Sequence, residues 1–177
     1  MNKKTAEESL KAHIRDVPDF PKKGVVFKDI TTLLRNKDAF RETIDLLAAR
    51  YKNDNIEYVV GVEARGFIFG AALAYALDAG FIPVRKKGKL PSKTKSVTYD
   101  LEYGSDTLEI HEDAIQKNTR VLIVDDVLAT GGTVKAVADL IRSQEADIAG
   151  VAFLMELEFL KGKEKLKDLP IYSILQY

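Results

Sequence analysis

The chain has 177 residues, with 27 Lys plus Arg balanced by 27 Asp plus Glu, no cysteine and two histidines. That length suits one domain with a substantial core, and the balanced charge offers no general electrostatic grip on nucleic acid. Without cysteine there are no disulfides, thiolate metal sites or cysteine nucleophiles, so chemistry must come from carboxylates, lysines, arginines, hydroxyls or the backbone.

The opening MNKKTAEESLKAHIRDVPDFP is charged throughout and lacks a signal-peptide core, while the longest apolar run, GFIFGAALAYAL, is too short to span a bilayer. A soluble cytoplasmic protein is expected, with neither membrane nor nucleic acid as partner. Thr5 and Glu8 have capping-box spacing, and Leu10 and Ile14 continue at helical spacing towards Pro18, which predicts an N-terminal helix over this stretch. PKKGVVFKDI reads as a turn followed by a short strand. From about Lys37 to Tyr51 the residues Phe40, Ile44, Leu47 and Tyr51 share one helical face. This first region is expected to form a small hood.

From Tyr58 the pattern alternates: strand YVVGV, helix GFIFGAALAYAL, strand FIPVR, a long polar loop, strands TLEIH and VLIVD, helix VKAVADLIRS, strand IAGVAFLME and a last strand IYSIL. Near-continuous apolar strands alternating with helices predict an α/β fold, a mostly parallel twisted sheet with helices on both faces. No repeat, low-complexity tract or Pro/Gly-rich linker marks a boundary, so residues 1–177 are expected to form a single domain. The hood would come from about residues 1–35 and the C-terminal segment.

Ligands of such sheets bind beyond the carboxyl ends of the strands, and three loops qualify. In VLIVDDVLATGGT, Gly131 and Gly132 allow close backbone approach, and Thr130 and Thr133 supply hydroxyls at the start of a helix whose free amides and dipole favour a monophosphate. Asp125 and Asp126 would repel that phosphate but accept hydrogen bonds from vicinal hydroxyls. Together they describe a ribose 5-phosphate site. In VEARGF, Arg65 presents a planar fork to phosphate oxygens, although an arginine at a helix start is often a surface ion-pairing group. Residues 85–106 are long for a structureless loop in a compact domain and read as a flexible active-site loop; its basic cluster of Arg85, Lys86, Lys87 and Lys89 suits a pyrophosphate. His13 and His111 lack metal-ligand spacing.

VLIVDDVLATGGT resembles the binding loop of the type I phosphoribosyltransferases. Similarity to the adenine-specific branch of that family extends through DFPKKGVVFKDI, GVEARGFIFG, VRKKGKLP, YDLEYGSDTLEIH and ELEFLKGKEKL to YSILQY. The resemblance implies conversion of adenine and 5-phosphoribosyl 1-pyrophosphate (PRPP) to AMP and pyrophosphate for purine salvage, with Mg2+ carried mainly on the substrate pyrophosphate and no dedicated metal ligands. It also implies a homodimer. By motif, Asp125 and Asp126 hold the ribose hydroxyls, while Ala129, Thr130, Gly131, Gly132 and Thr133 wrap the 5-phosphate. Arg65, Lys86, Lys89 and Tyr103 address the pyrophosphate, and Arg85 either joins them or reaches a neighbouring subunit. Phe27 and Leu157, which by type alone are more often core residues, sandwich adenine, and backbone groups near Val26 and Lys28 read its edge. Glu102 is the catalytic acid-base candidate, and a non-proline cis peptide is expected at Glu63–Ala64. Lys28 stands where arginine is common in the family. The competing readings are a PRPP-sensing regulator, another base specificity, and a phosphorylatable receiver domain. The last of these is disfavoured because the acids follow a late strand.

Overall fold

The computed structural model describes residues 3–100 and 104–177, and the chain divides into two compact units, residues 1–46 and 47–177. In the first unit, helix α1 (Lys3–Lys11) is followed by strands β1 (Arg15–Pro18) and β2 (Val26–Asp29), helix α2 (Thr31–Arg35) and most of helix α3 (Lys37–Tyr51). The predicted N-terminal helix is shorter than expected: α1 begins before Thr5 and stops at Lys11, and Arg15–Pro18 is extended instead. Its last turn is closed by His13, whose Nδ1 lies 3.0 Å from the Ser9 carbonyl and whose Nε2 lies 3.0 Å from Asn36 Nδ2. With Nδ1 donating to a carbonyl, Nε2 is left to accept from the amide. Asn36 in turn caps α3, its Oδ1 accepting from the backbone N–H groups of Asp38 and Ala39. The helical spacing of Leu10 and Ile14 therefore spans a helix end.

β1 and β2 pair antiparallel with Val17 opposite Phe27. The turn between them contains the cis Phe20–Pro21 bond, and the Asp19 carboxylate accepts from the Gly24 N–H at 2.7 Å. Arg15 hydrogen-bonds Asp29 across the hairpin and holds its carboxyl down at about 2, with help from the Thr31 N–H. Lys28 Nζ meets Asp16 at 2.7 Å.

The second unit is built on a seven-stranded sheet of β3 (Tyr58–Val62), β4 (Gly80–Lys86), β5 (Thr94–Asp100), β6 (Ser105–His111), β7 (Arg120–Leu128), β8 (Asp147–Glu156) and β9 (Ile171–Gln176), in the order β5-β6-β4-β3-β7-β8-β9. The pairs β3/β4, β3/β7, β7/β8 and β8/β9 are parallel, and β4/β6 and β5/β6 are antiparallel. Helices α4 (Gly66–Ala76) and α5 (Gly132–Arg142) connect β3 to β4 and β7 to β8. Continuous apolar runs in the central strands leave Val59, Val60, Val121, Leu122, Ile123 and Val124 fully buried, as expected for strands covered on both faces.

One stretch differs from its sequence reading. Within residues 85–106, taken there as loop, Thr94–Asp100 forms β5 and pairs along its whole length with β6. Its alternating half-buried positions, Val97 and Tyr99 among them, sit between Thr, Ser and Lys, so apolar content alone hid the period of two.

The rear ends of the parallel strands are tied together. Glu57 exchanges backbone bonds with Arg120 and Gly80, and its carboxylate accepts from the Arg120 N–H at 2.8 Å. The Arg120 guanidinium donates to the Asp54 carbonyl at 2.7 Å and pairs with Asp147. Among the described residues no helix is long and apolar enough to cross a membrane.

Candidate active site

Strands β3 and β7 are neighbours, yet the connection from β3 leads outward to β4 and that from β7 leads outward to β8. Two loops leaving adjacent strands in opposite directions open a crevice between them, the place where open α/β sheets bind ligands. A cavity of about 440 Å³ lies there, lined by Glu63, Ala64 and Arg65 after β3 and by residues 125–134 from the end of β7 into α5, with Lys86, Tyr99 and Asp106 along one side.

The paired acids stand at the end of β7. Asp126 is buried and Asp125 half-buried, with Asp125 Oδ1 accepting from the Asp126 N–H at 2.8 Å. Burial lifts both carboxyls above the usual aspartate range. The Asp126 charge lifts Asp125 further, while Arg65, its Nε 2.7 Å from Asp126 Oδ2, partly offsets the rise at Asp126. Carboxylates in a low-dielectric site, with one cation beside Asp126, are strong acceptors for neutral hydroxyls.

Just beyond, the chain turns into α5 through Gly131, which has φ +77° at the N-cap; a side chain is disfavoured there. The first N–H groups of α5 lack intrahelical partners and point with the positive end of the helix dipole towards the loop. Thr130 and Thr133 line the same cavity, and the Tyr99 hydroxyl from β5 lies 3.3 Å from Thr133 Oγ1. This is an anion cradle adjoining a pair of hydroxyl acceptors.

The remaining edge is basic. Lys86 Nζ pairs with Asp106 at 3.0 Å, which raises the lysine pKa and lowers that of the aspartate. Glu63 grips the end of β4: its carboxylate accepts from the Lys86 N–H at 2.9 Å and from Arg85 Nε and Nη2 at 3.3 and 3.2 Å. Burial alone would raise the Glu63 carboxyl, but these donors outweigh it and hold it low. The Glu63–Ala64 peptide is cis, as the family resemblance implies.

Arg65, Lys86, Asp125, Asp126, Ala129, Thr130, Gly131, Gly132 and Thr133 thus share one cavity. Arg85 is engaged by Glu63 and by the Lys89 carbonyl at 3.1 Å, and neither Arg85 nor Lys89 is among the lining residues. Val26, Phe27 and Lys28 lie on β2 in the first unit, where Phe27 packs edge-on against Phe20 at 5.3 Å. Leu157 follows β8 and donates its N–H to the Leu128 carbonyl at 2.9 Å. Glu102 and Tyr103 lie outside the described residues. Among the described residues no group of three or more metal-ligating side chains could hold an ion. The sequence reading named Glu63 only for its cis peptide and gave no site role to it, Tyr99 or Asp106; the acid of VEAR opening the second loop and the β-pattern of residues 94–100 were the available signals.

Comparison with known proteins fixes the family. Residues 29–175 match the model of the phosphoribosyl transferase domain. The adenine phosphoribosyltransferase of Acidobacterium capsulatum is 59% identical over 170 residues, covering 96% of this chain and 94% of its own. The chain belongs to the adenine phosphoribosyltransferases. The Citrifermentans bemidjiense relative is 60% identical, with 96% and 99% of the two chains covered. Among solved structures, the adenine phosphoribosyltransferase of Thermoanaerobacter pseudethanolicus superposes with a TM-score of 0.93 at 50% identity, covering 96% of this chain and 99% of that one. The Saccharomyces cerevisiae adenine phosphoribosyltransferase, solved with adenine and an imino-altritol bisphosphate, gives 0.92 at 42% identity, with 97% and 99% covered. The α/β architecture expected from the alternating strands and helices is thus that of the adenine phosphoribosyltransferase fold.

Proposed function

We propose that this protein transfers the 5-phosphoribosyl group of PRPP to adenine, forming AMP and releasing pyrophosphate. The observation that carries this reading is the single cavity in which paired aspartates adjoin the glycine-opened N-terminus of α5. Asp125 and Asp126 accept the 2′ and 3′ hydroxyls, and the backbone of Ala129, Thr130, Gly131, Gly132 and Thr133, with the two threonine hydroxyls, wraps the 5-phosphate. Arg65 and Lys86 take the pyrophosphate at the other end, exchanging their partners Asp126 and Asp106 for phosphate oxygens. Arg85, Lys89 and Tyr103 are further pyrophosphate contacts in this reading, with Arg85 held by Glu63 at the end of β4.

Phe27 and Leu157 sandwich the adenine ring, with backbone groups of Val26 and Lys28 reading its edge. The Lys28 side chain is occupied by Asp16, in keeping with a backbone role. As the bond from C1′ to pyrophosphate breaks and the bond to adenine N9 forms, positive charge develops on the ribose ring. Glu102 accepts the proton leaving the purine, and exclusion of water protects the activated sugar from hydrolysis. Mg2+ suits this donor set only as a substrate-borne ion: the aspartate pair alone cannot cage it, and Mg2+ retains water and prefers phosphate ligands. When bound it supplies charge neutralisation of the pyrophosphate.

The acting form is a cytoplasmic homodimer in purine salvage. Helix α4 is apolar on every face, and Ile68 (41% exposed) and Tyr75 (91% exposed) form with Ala71 an uncovered stripe that a second copy would cover.

The test is nucleotide and pyrophosphate formation from PRPP and Mg2+ with adenine, guanine, hypoxanthine and xanthine in parallel, for the parent and Glu102→Ala. AMP from adenine alone, slowed roughly a hundredfold or more by the substitution, is the expected outcome. Turnover on another base would overturn the specificity, and an undiminished variant would remove Glu102 from the chemistry.

A further inference from the structure

The loop read above as the 5-phosphate cradle does not stand alone. After β8 the chain makes two short 3-10 turns, Glu158–Leu160 and Gly162–Leu166, and comes back against the loop at Gly162, which is buried. A Cβ on Gly162 would lie 2.2 Å from the Ala129 carbonyl oxygen and 2.9 Å from Leu128 Cδ1. From the other side, a Cβ on Gly131 would lie 2.5 Å from the Gly162 carbonyl oxygen. Two backbones therefore touch where neither can carry a side chain without moving.

The returning segment is itself fastened. Leu157 donates to the Leu128 carbonyl and Glu158 to the Tyr177 carbonyl, both at 2.9 Å, while Tyr177 donates back to Glu156 at 3.0 Å. Lys163 Nζ lies 2.5 Å from the carboxylate of Glu156, which is buried. A support pinned at both ends fixes the height of whatever rests on it.

We propose that Gly162 is a positioning residue for the 5-phosphate: by seating the Ala129–Gly131 backbone without a Cβ, it sets the direction in which the loop amides and the α5 N-terminus meet the anion. This rests on the reading of that loop as the phosphate site. Gly162 touches no substrate; it acts through Ala129 and Gly131. Because an ångström of displacement in such a cradle costs binding steeply, the effect belongs to ligands carrying the 5-phosphate. It spares those held at the Arg65 and Lys86 end of the cavity.

The experiment is equilibrium binding of ribose 5-phosphate and, separately, of magnesium pyrophosphate to the parent and to Gly162→Ala, with circular dichroism to establish folding. The expected result is at least about a tenfold rise in the ribose 5-phosphate Kd with the pyrophosphate Kd held within about twofold. In turnover, KM for PRPP rises while KM for adenine holds. A folded variant that binds ribose 5-phosphate like the parent, or loses both ligands equally, overturns the proposal. Should Gly162→Ala not fold, Lys163→Ala loosens the same support without a steric load, and a selective loss of ribose 5-phosphate binding is again required; no change overturns the proposal. Thr133→Val in the parent separates the two claims. If it leaves ribose 5-phosphate binding untouched, the premise itself fails; if it weakens binding while Gly162→Ala does not, only the role of Gly162 falls.

Discussion

At the scale of single residues, the site holds two carboxylates where burial resists their charge. Asp125 has its pKa raised, first by burial and then by Asp126, so the folded protein favours its protonated form more than the unfolded chain does. A carboxyl raised in this way contributes stability that is full below its unfolded pKa, about 4, and is lost as pH rises through the folded value. At neutral pH the ligand-free protein therefore carries a penalty, which the proposed sugar ligand would relieve by donating hydroxyls. Asp125→Asn should melt higher than the parent at pH 7 to 8, with the difference shrinking towards pH 4, and should bind ribose 5-phosphate roughly ten- to a hundredfold more weakly. Thermal melts across that range check the first half and calorimetric titration the second. A parent that matches or exceeds the variant at pH 8 would count against the raised carboxyl. The acids themselves were legible in VLIVDD. Their burial and the Arg65–Asp126 ion pair were not: the first depends on how the sheet is covered, and the second on β3 lying beside β7.

At the scale of elements, the strand-to-helix turn carries the strongest constraint. Gly131 combines φ +77° with backbone contact at Gly162, so Gly131→Ala is strained on both counts. It should raise KM for PRPP by about two orders of magnitude while the far-UV circular dichroism stays that of the parent; kinetics with varied PRPP at saturating adenine would reveal it. The turn and its helix were legible because a strand of β-branched residues, a double glycine and an amphipathic run follow each other directly. The N-terminal helix and β5 were misread for opposite reasons. In the first case Ile14 kept a helical spacing after the helix had ended at Lys11, and in the second a two-residue period was written in Thr, Ser, Tyr and Lys rather than in aliphatic residues. The short helix α2 has too few residues to show a period at all. The grip of Glu63 on β4 was not legible because its partners Arg85 and Lys86 come to it only through the parallel pairing of Val62 with Val84.

At the scale of the whole molecule, the exposed stripe of α4 makes a statement about assembly. Tyr75 offers a large aromatic surface to solvent, and a monomer would leave it, Ile68 and Ala71 uncovered. An Ile68→Asp/Tyr75→Asp double variant should sediment at half the mass of the parent if this face joins two copies; an unchanged mass from a dimeric parent would place the interface elsewhere, and a parent of monomer mass would remove the proposed homodimer. The alternation of strands and helices made this sheet legible, because only a parallel arrangement accommodates so many continuous apolar strands. The separation into residues 1–46 and 47–177 was not legible, since α3 carries one uninterrupted apolar face across it. The binding cavity occupies one rim of the sheet, while Glu57, Arg120 and Asp147 lace the opposite rim shut. That back edge gives the molecule a handle: Lys117, solvent-facing beside Glu145 and just before Arg120, is a point at which a bead, a dye or a fused chain can be attached while the front edge stays open to its substrates.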